Sequence, residues 1–371
     1  MRPIVASLLL PLALHAQSRS TVPSVRGTVD LTIGSEGDES SVFASVVGIA
    51  VDRAGRIVVA DLGQKSVRLF DAQGRFLYAV GREGKGPGEY ERGCCVRFSP
   101  SGELWVRDMG NSRYVRFALL ASHAVERGVA KMQETTDPAL AVGFGFTPEG
   151  SLVDLGATHA PLSPSAGFNL HVTTLDGRVV RTAHARAAPT ESLDVQVVPV
   201  ENPGGRGQMY FWSPYAAQSL FALAPNGDFA LAMSSRYAVS WHSVDGAKRH
   251  VIVRASADRP LLSAAERARA AEAVERDTQR SGGKAHLEIP ERKQPLRALH
   301  FDKSGRLWIE RSVADGADRE ADVYDASGRR VQTRRWPANV DFTFGHLADN
   351  FAVGIRTDSL GGQQVVRVRF R

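Results

Sequence analysis

Along most of this chain, apolar positions come in short runs joined by tight, glycine-marked turns. Residues 47–60 read as an apolar strand, a turn at Asp52 to Gly55, and a second apolar strand. The same unit returns at Phe98-Ser-Pro-Ser-Gly102 before Leu104-Trp-Val106 and at Phe146-Thr-Pro-Glu-Gly150 before Leu152-Val153. It returns again at Leu223-Ala-Pro-Asn-Gly227 before Phe229-Ala-Leu231 and at Phe301-Asp-Lys-Ser-Gly305 before Leu307-Trp-Ile309. A sixth, degenerate copy is His346-Leu-Ala-Asp-Asn350 before Phe351-Ala-Val353. Glycine suits these turns because they need a residue with positive φ. The first two steps between turn glycines are 47 and 48 residues and the next two are 77 and 78, so the third and fourth units carry extra sequence. Repeats of 40–50 residues built from short strands predict propeller blades.

Second hairpins complete the units. Val67 to Asp71 turns at Gly74 into Arg75-Phe-Leu77, Leu170 to Leu175 turns at Asp176-Gly177, Val239 to Val244 turns at Asp245-Gly246, and Val323-Tyr-Asp325 turns at Gly328. Tyr114 to Leu120 supplies a strand without the glycine turn. Two hairpins make a four-stranded blade. The expected fold is therefore all-β, a six-bladed β-propeller of four-stranded blades with one inserted helix. At the C-terminus Val366, Val368 and Phe370 alternate with Arg367, Arg369 and Arg371, a strand with one buried face. Residues 25–33 have strand character but no blade of their own. They are expected to add the outer strand to the last blade, closing the ring and covering an edge.

The segment Val58-Val-Ala-Asp61-Leu-Gly-Gln-Lys-Ser-Val-Arg-Leu-Phe-Asp71, followed by Val80-Gly-Arg-Glu-Gly-Lys-Gly-Pro-Gly-Glu-Tyr90, resembles the NHL-repeat propellers. So does Val106-Arg-Asp108-Met-Gly-Asn111-Ser-Arg113-Tyr-Val-Arg-Phe117. The whole chain is similar to the large bacterial group of exported six-bladed propellers. Some NHL-like propellers are amidating lyases that hold zinc with histidines near the axis. That resemblance implies His159, His171, His242, His300 and His346 as candidates, but no pair shows ligand spacing. The Glu/Asn/Asp metal cluster of gluconolactonase-like propellers cannot be placed residue by residue.

The stretched units hold the departures from the repeat. Residues 183–210, rich in Pro, Gly and Arg, read as an interblade loop. In residues 259–285, Ser263-Ala-Ala-Glu266 is a capping box, the Ala-rich run reaches Arg280, and Gly282-Gly283 stops it. A helix over about 261–280 is expected, either packed on a blade side or lying as a lid over the central funnel. Residues 81–89 are Gly-rich but lack the Gly-Lys-Ser/Thr ending of a phosphate-binding loop, and they read as the crossover between blades 1 and 2.

Composition narrows the function without naming it. The chain has 371 residues, 43% hydrophobic and 23% charged, with a net charge of +6 spread along it. The basic clusters (Arg329, Arg330, Arg334, Arg335; Arg367, Arg369, Arg371) are not interleaved with aromatics in a nucleic-acid module. No stretch reaches about 18 apolar residues, so no membrane-spanning helix is expected. Arg2 and the apolar core Ile4 to Leu14 read as a secretory signal, with residues 1–16 removed and 17–371 forming the propeller. The two cysteines, Cys94 and Cys95, are adjacent. On a regular strand they point to opposite faces, and free thiols or a vicinal disulfide are both open.

Asp61 and Asp108 occupy matching positions six residues after the turn glycine. They would serve either as ligand contacts around the channel mouth or as anchors for turn backbone. Phe211, Trp212 and Tyr215 lead into a blade and could line the funnel with an aromatic wall. The expected function is an exported, monomeric, ligand- or protein-binding module of the cell envelope, with no cofactor. Its partner would be an envelope protein, peptide or glycan. The alternative is a metal-dependent lyase or lactonase with Zn or Ca on the axis.

Overall fold

A computed structural model describes residues 22–34, 39–132, 144–157, 168–185, 195–202, 205–254, 257–358 and 361–371. The expected signal segment and His159 lie outside them. The described residues form six four-stranded blades. Strand β1, Ser24–Ile33, comes first in the chain but belongs to the last blade. Blade 1 is β2 Val46–Val51, β3 Ile57–Asp61, β4 Ser66–Phe70 and β5 Phe76–Ala79. The crossover expected at 81–89 follows, pinned by the short parallel pair β6 Arg82–Glu83 and β7 Glu89–Tyr90. Blade 2 is β8 Gly93–Phe98, β9 Leu104–Asp108, β10 Arg113–Leu119 and β11 Ala124–Lys131. Blade 3 is β12 Gly145–Phe146, β13 Leu152–Ala157, β14 Phe168–Thr173 and β15 Val179–Ala185. A two-stranded ribbon, β16 Val195–Asn202 and β17 Gly205–Trp212, stands before blade 4.

Blade 4 is β18 Ser219–Leu223, β19 Phe229–Met233, β20 Ala238–His242 and β21 Lys248–Val253. The helix α1, Ala264–Arg280, separates it from blade 5. Blade 5 is β22 Leu296–Phe301, β23 Leu307–Arg311, β24 Arg319–Tyr324 and β25 Arg330–Trp336. Blade 6 is β26 Val340–Leu347, β27 Phe351–Thr357 and β28 Gln363–Phe370, with β1 as its outer strand. β1 runs antiparallel to β28 from Gly27 opposite Phe370 to Ile33 opposite Val365. A bulge between Val29 and Leu31 marks Asp30, which accepts hydrogen bonds from Arg367 and Arg369. The first residues of β1 also pair in parallel with β25, joining blades 5 and 6 into one sheet.

The core is distributed between blades. Strand side chains alternate, so each blade offers an apolar face to both neighbours. In β3, Val58 and Ala60 pack toward blade 2, while Ile57 and Val59 pack toward blade 6. This explains why β3 is apolar at consecutive positions rather than at alternate ones. Every neighbouring pair of blades shares such a cluster, including blades 6 and 1 through Ile33, Val46, Val353 and Val365. Trp105 and Trp308 hold matching places, packed toward blades 3 and 6 respectively.

Two sequence expectations change here. Residues 183–210 are not an interblade loop throughout: β15 runs to Ala185, and β16 and β17 form a ribbon paired from Val195–Trp212 to Asn202–Gly205. Its arms are β-branched and aromatic, with Pro199 tolerated because each arm is an edge. The second change is local. Cys94 and Cys95 do not diverge, because a bulge between Cys94 and Val96 places Cys95 at φ 53. The sulfurs come within 2.8 Å of each other as free thiols. The Cys94 thiol's hydrogen bond holds the Cys95 thiol below its ordinary range, with the Arg107 and Arg97 charges acting the same way.

The helix is capped as the sequence predicts. The Glu266 amide donates to Ser263 Oγ at 3.0 Å, and the Ser263 amide donates to the Glu266 carboxylate at 3.0 Å. Ser263 Oγ also donates to Asp315 at 2.6 Å, which fixes the helix start to blade 5. Ser263→Ala is expected to weaken the docked helix by about 1 kcal/mol. Native-state hydrogen exchange should show faster exchange across 264–280 with blade amides unchanged, and unaltered exchange would count against this anchoring.

Candidate functional site

The six innermost strands surround a central channel of about 1100 Å³. One end is rimmed by the first turn of several blades, including Asp52, Ser99, Pro225 and Asp302. The other is rimmed by loops entering and leaving the inner strands, including Tyr215, Gln218, Ser234, Lys293 and Ser312.

The two insertions meet at this second end. The ribbon β16–β17 and the segment after α1 share a small core of Val198, Phe211, Ala285 and Leu287, with Met209 and Val274 packed against it. Gln196 accepts from the His286 amide at 2.6 Å, and Ser213 Oγ accepts from the Glu288 amide at 3.2 Å. Lys293 pairs with Glu266 of α1 and donates to the Val313 carbonyl at 2.8 Å. The insertions therefore form one cap over the blade 4 and blade 5 side of the mouth.

Asp61 and Asp108 are fully buried and are not among the residues that line the channel. The Asp61 carboxylate accepts from the Ala44 and Ser45 amides, both at 2.9 Å, and from Arg68 at 3.1 Å. Asp108 accepts from the Glu91 and Arg92 amides at 3.0 and 3.2 Å, and from Asn111 and Arg113. Each grips the backbone that enters its own blade, which accounts for their recurrence at one repeat position. Phe211 is buried in the cap core. Trp212 is 43% exposed and rests near Tyr210, with ring centroids 6.5 Å apart. Tyr215 is the one of the three aromatics that lines the channel. It adopts φ 60, and its carbonyl accepts from Gln294 at 3.1 Å.

Of the histidines considered, His300 and His346 line the channel. His171 bonds Thr182, and His242 stacks on Phe229 at 5.0 Å, both in outer parts of their blades. His300 faces Glu310 at 3.3 Å, and Glu310 also pairs with Arg297 and Arg319 at 3.0 Å each. Among the described residues, no three of His, Cys, Asp or Glu gather into a group able to hold a metal ion. The expected basic clusters are engaged in part: Arg330 with Asp322, Arg335 with Glu320, and Arg367 and Arg369 with Asp30.

The residue that sequence reasoning passed over is Arg97. It lies on the inner strand of blade 2, opposite Trp105, and lines the channel. Its signal in the sequence is positional. Two residues before the first turn residue of each blade stand Ala50, Arg97, Gly145, Ala222, His300 and His346, and all six line the channel.

A family model described as a 6-bladed beta-propeller matches residues 36–92. No curated protein matches the chain. A solved structure from Bacteroides fragilis, of a protein that has been proposed to be exported, superposes with a TM-score of 0.50 at 11% identity. The match covers 95% of this chain and 100% of that one and shows the fold alone. Virginiamycin B lyase of Staphylococcus aureus gives a TM-score of 0.43 at 9% identity, covering 91% of this chain and 97% of that one. Regucalcin of Agrobacterium tumefaciens gives 0.44 at 9%, covering 95% and 98%. The chain is a six-bladed propeller similar to bacterial propeller proteins. No helix among the described residues is long and apolar enough to cross a membrane.

Proposed function

We propose that this chain is an exported propeller acting as a ligand-binding module of the cell envelope, with its ligand in the central channel under the ribbon-and-helix cap. The observation that carries this reading is the channel itself. At about 1100 Å³ it is at the upper end of the size of small-molecule sites, and it mixes apolar wall with a few converging polar groups. Its two aspartates are engaged in their own turns. Asp52 accepts from Arg56 at 2.7 Å, and Asp302 accepts from Arg306 at 2.8 Å and Trp308 at 3.0 Å. Lyase or lactonase chemistry on a bound Zn or Ca would need a gathered acidic or histidine set, and no such group is found among the described residues. Residues 1–16 as a secretory signal, with 17–371 as the propeller unit, complete the proposal.

Equilibrium dialysis of the protein against a small-molecule extract of bacterial envelopes tests it. Mass spectrometry should show at least one compound enriched in the protein compartment. Thr343→Trp, which puts a large side chain at an exposed position of the channel wall, should abolish that enrichment. No enrichment by the unmodified protein, equal enrichment by the variant, or stoichiometric zinc or calcium in the same samples would overturn the reading.

A further inference from the structure

The six residues at the shared inner-strand position make one layer of the channel wall. In order around the ring they are Ala50, Arg97, Gly145, Ala222, His300 and His346. Their equivalence is confirmed by register: the following residues, Val51, Phe98, Phe146, Leu223, Phe301 and Leu347, each pair with the first or second residue of the next strand. Three members are the smallest residues available and three are large and nitrogen-bearing. In a ring of six blades, blade 2 stands across from blade 5. The guanidinium of Arg97 thus stands across the channel from His300, with His346 beside it and open space left by Ala50, Gly145 and Ala222.

The charge of this layer is not balanced by the protein. The channel wall carries Arg53, Arg97, Lys293, Arg297 and Lys303 against two aspartates, and both of those are engaged within their turns. Lys293 and Arg297 have their own acids, Glu266 at 2.5 Å and Glu310 at 3.0 Å. Arg53 donates to the Pro100 carbonyl at 3.1 Å. Among the described residues, no acid or carbonyl meets the side chain of Arg97 or of Lys303. Burial works against the Arg97 charge; a Cys95 thiolate would favour it, and the nearby Arg107 adds like-charge repulsion. The Arg97 and Lys303 charges reach His346 as well. With burial as the larger cause, they hold it down to about 3, so its ring is neutral and has one donor and one acceptor nitrogen. An arginine held in a half-buried wall without a carboxylate partner lowers stability, and a bound anion would supply the missing charge. Guanidinium is the group suited to planar oxyanions, which it meets through two parallel N–H donors.

We propose that this layer binds a small molecule bearing carboxylate or phosphate groups, with Arg97 as the oxyanion contact, Lys303 as a second cation and the His300 and His346 side as the opposite wall. The proposal rests on the channel being the ligand site and adds the class of ligand it takes.

Isothermal titration of the full protein with citrate, with inorganic tripolyphosphate and with glucose, all at matched ionic strength, tests it. Citrate or tripolyphosphate should bind with one site per chain, and the arm that binds tells carboxylate from phosphate. Glucose should not bind. Arg97→Gln should weaken the anion at least tenfold and Lys303→Gln severalfold, while Arg329→Gln, on an exposed turn, should leave it unchanged. Arg97→Gln should also melt at or above the temperature of the unmodified protein, since it removes an unpaired cation. The anion should raise the melting temperature of the unmodified protein and not that of the variant.

Absence of binding by both anions, or binding undiminished in Arg97→Gln, would overturn the assignment. If Arg97→Gln does not fold, its charge has a structural role, and unchanged affinity in Lys303→Gln then overturns the assignment as well. Enrichment of a neutral compound that Thr343→Trp abolishes, with no anion bound, would leave the channel reading standing and remove this one.

Discussion

Deleting Ser24–Ile33 is expected to abolish cooperative folding of the ring. β1 is the outer strand of blade 6, yet it comes from the opposite end of the chain, so its pairing with β28 is what ties blade 6 to the start of the fold. It buries Ile33 at 2% exposure in the core shared by blades 6 and 1, and it packs Val25 and Val29 against the core shared by blades 5 and 6. Removing Ile33 and the partly buried Val25, Val29 and Leu31 loses on the order of 5 kcal/mol of apolar burial. That is comparable to the net stability of a typical domain, about 5–15 kcal/mol. The loss is compounded because β28 would become an open edge with Arg367 and Arg369 deprived of Asp30. Circular dichroism melts should show a broad or absent transition, and gel filtration should show aggregates. Supplying the ten-residue peptide of β1 at high concentration should restore part of the transition. A deletion variant that melts sharply within a few degrees of the intact protein would refute closure by this strand.

The blades were readable because each is written locally. Gly55, Gly102, Gly150, Gly227 and Gly305 all adopt the positive φ that their turns demand, and the strands on either side pair in the register those turns impose. The closing strand was readable for a different reason: residues 25–33 had strand character left over after every unit was counted. The ribbon of residues 195–212 was not readable as such. Its partner is the segment after α1, and Gln196 meets His286 across 90 residues of chain. No local pattern encodes a contact of that kind. The approach of Cys94 and Cys95 was hidden similarly, since it depends on a non-glycine residue at φ 53 in a bulge.

The candidate site was less legible than the fold. Asp61 and Asp108 stood out because they repeat, but repetition marks what every blade needs, here a clamp on incoming backbone. Arg97 was overlooked because Val96-Arg97-Phe98 reads as an ordinary strand with one outward cation. Only ring closure turns an inner-strand position toward the axis. Divergence at a repeat position was the better guide: Ala50, Gly145 and Ala222 hold it in three blades, and Arg97, His300 and His346 hold it in the other three.

Asp322→Ala is expected to be the most damaging single substitution, at about 3–5 kcal/mol, because it removes one partner from a buried ionic network. Asp322 is fully buried in β24 and joins blade 5 to blade 4. From blade 4 its carboxylate receives Tyr237 Oη at 2.8 Å and, just beyond β21, Arg254 at 2.6 Å. From blade 5 it pairs with Arg330 at 2.5 Å and stands 3.4 Å from Arg311. Glu320 pairs with Arg311 and Arg335, so it cannot replace the lost charge on Arg254 and Arg330. Burial and the Asp322 charge together hold the Tyr237 hydroxyl far above its ordinary range, so it remains a neutral donor that would lose its carboxylate acceptor.

Asp322→Asn keeps the shape but not the charge and should be nearly as damaging, which separates electrostatics from packing. Tyr237→Phe removes the hydrogen bonds to Asp322 and Tyr324 but leaves the ion pairs, and should lose only about 1–2 kcal/mol. Asp325→Ala, at an exposed turn where the pair with Arg329 is solvated, should lose under about 1 kcal/mol. Urea denaturation of the four variants gives the order directly. If Asp322→Asn matched the unmodified protein while Asp322→Ala did not, the blade 4 to blade 5 junction would be held by packing around the side chain and not by its charge.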